Sequence, residues 1–166
     1  MYSCLNNHTE VSPRKRFNLK VKEQEVFDIL TGKISTTINR ALLRAFSLED
    51  IRITTEQWSV LSSLWKEDKI TQQQLCDLTR KDKPSMTRLL DNLQKNKLVV
   101  RVAHPSDRRI NLIHLTAHGV SIKEKVMKIV SDVVDKALSG ISDEEISVSR
   151  NVLTKIIQNL DSINSK

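Results

Sequence analysis

The stretch Thr71–Arg101, TQQQLCDLTRKDKPSMTRLLDNLQKNKLVVR, decides how this chain reads. Thr71 and Gln74 have the spacing of a capping box, in which the hydroxyl takes a free backbone N–H and the amide reaches back to the cap. A helix follows with Leu75 and Leu78. Asp82 can cap a second helix, Lys83–Asn96, because Pro84 falls in the first turn, where a missing N–H is not needed. Met86, Leu89, Leu90 and Leu93 give that helix an inner face. Lys83, Ser85, Thr87 and Arg88 lie on the opposite face near its start. Two helices joined by the three-residue bridge Arg80-Lys81-Asp82 make a helix-turn-helix. Short hydroxyl side chains at the front of its second helix let the backbone approach base edges in a major groove. Arg88 can reach a phosphate or a guanine. Any one of these residues alone is equally a solvated surface group; together they share one face.

Downstream, Lys97–Ala103 is short, β-branched and strand-like. His104-Pro105-Ser106-Asp107 reads as a turn, and Arg108–Thr116 returns as a second strand with Ile110, Leu112, Ile113 and Leu115. The hairpin tip Asp107-Arg108-Arg109 places arginines where a narrow, electronegative minor groove would receive them. Asp107 could pair with a neighbouring arginine and fix its direction. Without the preceding helices, this would be an ordinary charged tip.

The flanks are helical. Val26, Ile29, Leu30, Ile34, Ile38, Ala41, Leu42, Ala45 and Phe46 recur at steps of three and four, which predicts one long helix with Gly32 inside it. Thr54 and Gln57 form a second capping-box pair, before an inner face of Trp58, Leu61, Leu64 and Trp65. Thr116 can cap a helix carrying Val120, Ile122, Val126, Ile129, Val130, Val133, Val134 and Leu138. Gly140 separates it from a last helix capped by Ser142 with Glu145, whose stripe is Ile146, Val148, Leu153, Ile156, Ile157 and Leu160. The first and last helices have more apolar surface than one small winged domain covers. Self-association and intrachain core are both consistent with that excess.

Composition bounds the possibilities. The chain has 166 residues, 39% hydrophobic and 28% charged, with only three glycines, which suits long helices rather than an all-β fold. The net charge of +7 is concentrated at residues 1–20 (+3) and 66–118 (+5). A localised basic surface points to a polyanion, since phosphate neutralisation releases counterions. Residues 1–20, with Arg14-Lys15-Arg16, read as a mobile basic arm. No apolar run is long enough to span a bilayer, and the polar N-terminus lacks a signal-type apolar core, so no membrane partner and a cytoplasmic setting are expected. Cys4 and Cys76, the only cysteines, make no paired spacing and suggest neither a disulfide framework nor a zinc knuckle.

No nucleophile with a base, paired carboxylates, phosphate-cradling loop or metal cluster emerges, so no enzyme and no cofactor are expected. His114 falls on a strand and His118 on a helix, which breaks the i,i+4 geometry of a paired ligand, and His104 lies near the hairpin; no metal is expected.

The stretches TTEQWSVLSSL (54–64), Thr71–Arg101, DRRINLIHLT (107–116) and GISDEE (140–145) closely resemble the multiple-antibiotic-resistance-regulator (MarR) family, over about residues 25–160 in unbroken order. The resemblance implies a mainly α fold with a small β-hairpin wing. It implies a winged helix-turn-helix at about 54–116 within one domain, 21–166, and a homodimer built from helices at about 21–47 and 117–162. It further implies binding to a pseudo-palindromic operator in double-stranded DNA, with Ser85, Thr87 and Arg88 in the major groove and Arg109 at the wing tip, supported by Asp107. A repressor released by a small-molecule effector, bound between the dimer helices and the winged domain, follows from the same resemblance. Trp58 and Trp65 could line such a pocket or be plain core. Cys76 stands where the family usually has alanine. Redox-sensing members resemble one another in a cysteine on the N-terminal helix, which residues 22–46 lack. Two competing readings are a protein-interaction module, which would degrade the basic face, and a sequence-independent architectural binder, which would not need the polar front of the second helix.

Overall fold

The computed structural model describes residues 32–107 and 110–164, in two compact units divided after Thr37. Of the expected first helix, Val26, Ile29 and Leu30 lie outside the described residues. In the first unit, Gly32 and Lys33 form a π turn, and Thr37 Oγ1 donates to the Lys33 carbonyl at 2.8 Å. Helix α1, Ile34–Leu48, continues into the second unit, where Leu42 and Phe46, one turn apart, are buried.

The second unit is built around helices α2 (Thr55–Leu64), α3 (Gln72–Thr79) and α4 (Lys83–Lys95). Both expected capping boxes form. Gln57 N–H donates to Thr54 Oγ1 at 3.1 Å while Thr54 N–H donates to Gln57 Oε1 at 2.9 Å. The Thr71–Gln74 pair repeats the exchange at 3.2 and 2.8 Å. Val60, Leu61 and Leu64 of α2, Leu75 of α3, and Met86, Leu90 and Leu93 of α4 are almost wholly buried against one another. Leu78 is the exception to the expected face of α3: it is exposed, and Cys76 takes the inner position. Trp58 and Trp65 are only half-buried at the edge of this core.

The hairpin differs from its sequence reading at both ends. Strand β2 is Val99–Ala103 and β3 is Asn111–Leu115, paired antiparallel with Arg101 opposite Ile113. The first strand starts two residues late because Lys97 takes φ 57° and closes α4. Its N–H donates to the Gln94 carbonyl at 2.9 Å and that of Leu98 to Leu93 at 2.9 Å, the paired bonds of a Schellman ending. Of the second strand expected from Arg108, Arg108 and Arg109 lie outside the described residues, and Ile110 precedes the strand rather than joining it. Ile110 N–H donates to the Asp107 carbonyl at 3.0 Å and His104 N–H to the Ile110 carbonyl at 2.9 Å, so the turn expected at His104–Asp107 closes on Ile110 rather than within four residues. A third strand went unread: β1, Ile70–Thr71, pairs with β3 and makes the sheet order β1-β3-β2.

Beyond Thr116, whose Oγ1 accepts the Gly119 N–H at 2.9 Å, one helix was expected and two occur. Helix α5, Ala117–Ser121, gives way at Ile122 to α6, Lys123–Ala137. Gly119 lies so close to the Leu98 carbonyl that a Cβ there would collide with it. Trp65 Nε1 donates to the Gly119 carbonyl at 2.9 Å. Val126, Ile129 and Val130 of α6 are buried, whereas Val120, Val134 and Leu138 are exposed. Helix α7, Asp143–Asn164, begins at the expected Ser142–Glu145 box, in which Ser142 N–H donates to Glu145 Oε2 at 2.9 Å. None of its described side chains is buried within the chain, and Val148, Leu153, Ile157 and Leu160 stand in the open.

Candidate nucleic-acid interface

The turn between α3 and α4 is made without glycine. Arg80 adopts φ 53°, and the N–H groups of Arg80 and Lys81 both point to the Cys76 carbonyl, Lys81 at 3.1 Å. Both cations of the turn have carboxylate partners. Lys81 Nζ is 2.9 Å from Glu56 Oε1 on α2, and the Arg80 guanidinium meets both oxygens of Asp161 on α7 at 3.4 and 3.2 Å. Asp82 then caps α4, its Oδ1 accepting the Ser85 N–H at 2.7 Å and its Oδ2 the Ser85 hydroxyl at 3.0 Å. These two bonds hold the Asp82 carboxyl below the usual aspartate value, because both favour the charged form.

From that cap the helix presents Lys83, Ser85, Thr87 and Arg88 to solvent, all exposed, with Met86, Leu89, Leu90 and Leu93 directed into the core. The sequence reading brought these four residues to one face, and the helix places them there. It missed Gln72. The first residue of α3 reaches across to the front of α4, its Nε2 donating to Thr87 Oγ1 at 2.8 Å, with the Lys83 carbonyl 3.5 Å away. Thr87 Oγ1 itself donates to that carbonyl at 2.9 Å. A glutamine at the start of the first helix of a helix-turn-helix was the signal available; its partner is fifteen residues away and not visible from periodicity.

The wing is tied to the same helix. Arg101 of β2 places one guanidinium nitrogen 2.7 Å from Asp91 Oδ1 and the other 2.9 Å from Gln94 Oε1, both on α4. Asp68 Oδ1 accepts the Leu115 N–H at 2.9 Å, anchoring the far end of β3. Asp107 is exposed on the loop beyond β2; Arg108 and Arg109 lie outside the described residues. His104 Nδ1 is 2.9 Å from Ser106 Oγ within the loop. His114 sits in β3 and the exposed His118 in α5, on separate elements.

Cys76 is buried, and burial, aided by Asp77, pushes its thiol above the usual value, the reverse of an activated thiolate. Neither tryptophan lines the cleft of about 240 Å³ beside the end of α4, which is walled by Ile51, Ile53, Leu98 and Ile122 with Asn96 and His118 at its polar side. No described helix is long and apolar enough to cross a membrane.

The model of the MarR family matches residues 53–110, from the last residues before α2 to the end of the wing loop. Solved structures extend the likeness along the chain. The transcriptional regulator PA3341 is 30% identical, with 82% of this chain and 98% of that one covered and a TM-score of 0.69. A cysteine-to-serine mutant of MarR from E. coli, complexed with operator DNA, is 25% identical over 85% of this chain and 97% of its own, at a TM-score of 0.72. A MarR-family regulator from Rhodococcus sp. RHA1 shares the fold at a TM-score of 0.70 and 21% identity, over 82% and 95% of the two chains. With these likenesses reaching over four-fifths of its length, the chain belongs to the MarR family of transcriptional regulators.

Proposed function

We propose that this protein is a homodimeric, sequence-specific DNA-binding repressor, released from a pseudo-palindromic operator by a small-molecule effector. The observation that carries the proposal is the front of α4. Lys83, Ser85, Thr87 and Arg88 are exposed together beside a capped helix N-terminus, on a helix whose other face is fixed in the core. Such a helix can enter a major groove without repacking. The matched E. coli MarR variant is complexed with operator DNA, which supports the same use of the fold here. In this reading Asp107, Arg108 and Arg109 serve the minor groove, Asp107 supporting Arg109.

Dimerisation is supported by α7. A 22-residue helix with Val148, Val152, Leu153, Ile157, Leu160 and Ile163 all exposed is costly in water and is normally covered. A two-fold partner would bury this stripe and set the spacing of two α4 helices against two half-sites. An effector bound between the dimer helices and the winged domain would change that spacing and weaken the fit.

Selection of bound sites from a random duplex library tests the proposal, with Arg88→Ala, Arg109→Ala and Ile157→Glu proteins alongside. An inverted repeat is expected from the wild type. Both arginine variants should weaken binding to it, and Ile157→Glu should yield a monomer in sedimentation and lose the repeat. Uniform, salt-labile binding would instead identify an architectural binder, and no binding at low salt a protein-interaction module.

A further inference from the structure

The two hydroxyl groups at the front of α4 have already committed their protons. A carbonyl oxygen can only accept, so the Thr87 hydroxyl, 2.9 Å from the Lys83 carbonyl, must donate to it. The Gln72 amide faces the same carbonyl at 3.5 Å, which makes the group turned toward Thr87 its NH2 and not its oxygen. That NH2 donates to Thr87 Oγ1 at 2.8 Å and fills one of its two lone pairs. One lone pair is left. At Ser85 the argument is simpler. Asp82 is ionised at neutral pH and has no proton to give, so the Ser85 hydroxyl, 3.0 Å from Oδ2, donates to it and keeps two lone pairs.

A free serine or threonine hydroxyl rotates to suit either a donor or an acceptor on a base edge. These two cannot do so without breaking a bond inside the protein. In the major groove cytosine offers its N4 amino group and adenine its N6 amino group as donors. Guanine O6 and N7 and thymine O4 are acceptors. Resting on the reading of α4 as the recognition helix, we propose that Ser85 and Thr87 act as acceptor-only readers. Each selects an exocyclic amino group, on adenine or cytosine, in the half-site; the Lys83 carbonyl holds Thr87 in that state, and Gln72 is the positioning residue that fills one of its lone pairs and leaves a single one for the base. Guanine or thymine at the same place would set lone pair against lone pair. Gln72 is half-buried behind Thr87 and lies outside the predicted contact set, so its part in specificity is exerted through Thr87.

The test uses the full chain and the operator it selects. Each adenine of the half-site is replaced in turn by purine, which lacks the N6 amino group, and each cytosine by 2-pyrimidinone, which lacks N4; binding is read by fluorescence anisotropy. With wild type, one position should lose affinity about three- to tenfold on removal of its amino group, the range of a single hydrogen bond, and that loss should vanish in Thr87→Val. A second position should behave likewise with Ser85→Ala. Both side chains are exposed, so the variants keep the core intact. Gln72→Ala leaves the Thr87 proton on the Lys83 carbonyl, so the preference for an amino group should persist at that position while the loss on its removal shrinks, the Thr87 lone pair being no longer aimed by Gln72. The proposal is overturned if amino-group removal couples to neither residue, or if the coupled position proves to be a guanine O6 or thymine O4. A motif without such coupling removes this inference alone. No motif at all removes base readout by α4 and the inference with it.

Discussion

The Arg101 guanidinium on β2 holds the Asp91 carboxylate of α4 at 2.7 Å while donating to Gln94 Oε1 at 2.9 Å. This fork joins the strand that leads into the wing loop to the helix that carries Lys83, Ser85, Thr87 and Arg88. The wing is therefore tied to the C-terminal half of the same exposed face, where Asp91 and Gln94 follow Thr87 at i+4 and i+7.

Arg101→Ala should lower stability by about 0.5–1 kcal/mol, the range of a partly exposed ion pair. It should also weaken operator binding while leaving the slope of log affinity against log salt unchanged, since no phosphate contact is removed. A reduced slope would show that Arg101 itself reaches the phosphates. Denaturant titration and anisotropy at several salt concentrations measure the two effects.

The Asp82 cap predicts a sign for acid stability. Its carboxyl titrates below the ordinary aspartate value because Ser85 donates two bonds to the charged form. The stability from this group is thus fully present above the unfolded-state pKa of about 3.9 and is lost as pH falls through the lower folded value. Asp82→Asn keeps an oxygen for the Ser85 N–H but cannot titrate. The wild type should exceed it in stability at neutral pH, and the gap should close in acid. A gap that persists unchanged to low pH would mean the charge contributes nothing. Glu145, held low by Ser142 at the start of α7, should add to the same acid limb.

Gly119 leaves no room for a side chain. A Cβ there would meet the Leu98 carbonyl, which also accepts the Thr116 N–H at 3.0 Å. Gly119→Ala should cost about 1–3 kcal/mol, as overpacking does, even though alanine favours helix. A lower urea midpoint with an unchanged slope is the expected result; a neutral substitution would show that α5 can shift away from β2 freely.

Lys97 closes α4 in the left-handed region at φ 57°, a conformation strained for a residue with a Cβ. Lys97→Gly should stabilise the protein by about 0.5–1 kcal/mol, the relief of strain outweighing the added freedom of the unfolded chain. A loss of stability would mean that the lysine side chain contributes more than its backbone costs.

Much of this architecture is written in local chemistry. The caps at Thr54, Thr71, Asp82, Thr116 and Ser142 each use a side chain and a backbone group within three residues, and all five form. The misses share a cause. Strand β1 is two residues long, too short for any period, and exists only because Ile70 finds Ile113 across more than forty residues. The late start of β2 depends on Lys97 adopting a glycine-like conformation that its identity does not announce. Asp50, Lys69 and Arg80 do the same elsewhere, so in a chain with three glycines the usual turn punctuation understates the turns. The face of α4 was legible because it follows from helical spacing. The Gln72–Thr87 bond was not, because which donor meets which acceptor is decided by the packing of α3 on α4.

The buried thiol of Cys76 gives the helix-turn-helix its own clock. At 5% exposure in the middle of α3, it can meet a bulky thiol reagent only when the helix pair opens. In a Cys4→Ser protein the labelling half-life would therefore convert directly into an opening equilibrium for this one region, separate from global unfolding. Any duplex that grips α3 and α4 together would lengthen that half-life by the factor 1 + [L]/Kd, where [L] is its free concentration, so the same sulfur could time the grip of DNA without a dye on either partner.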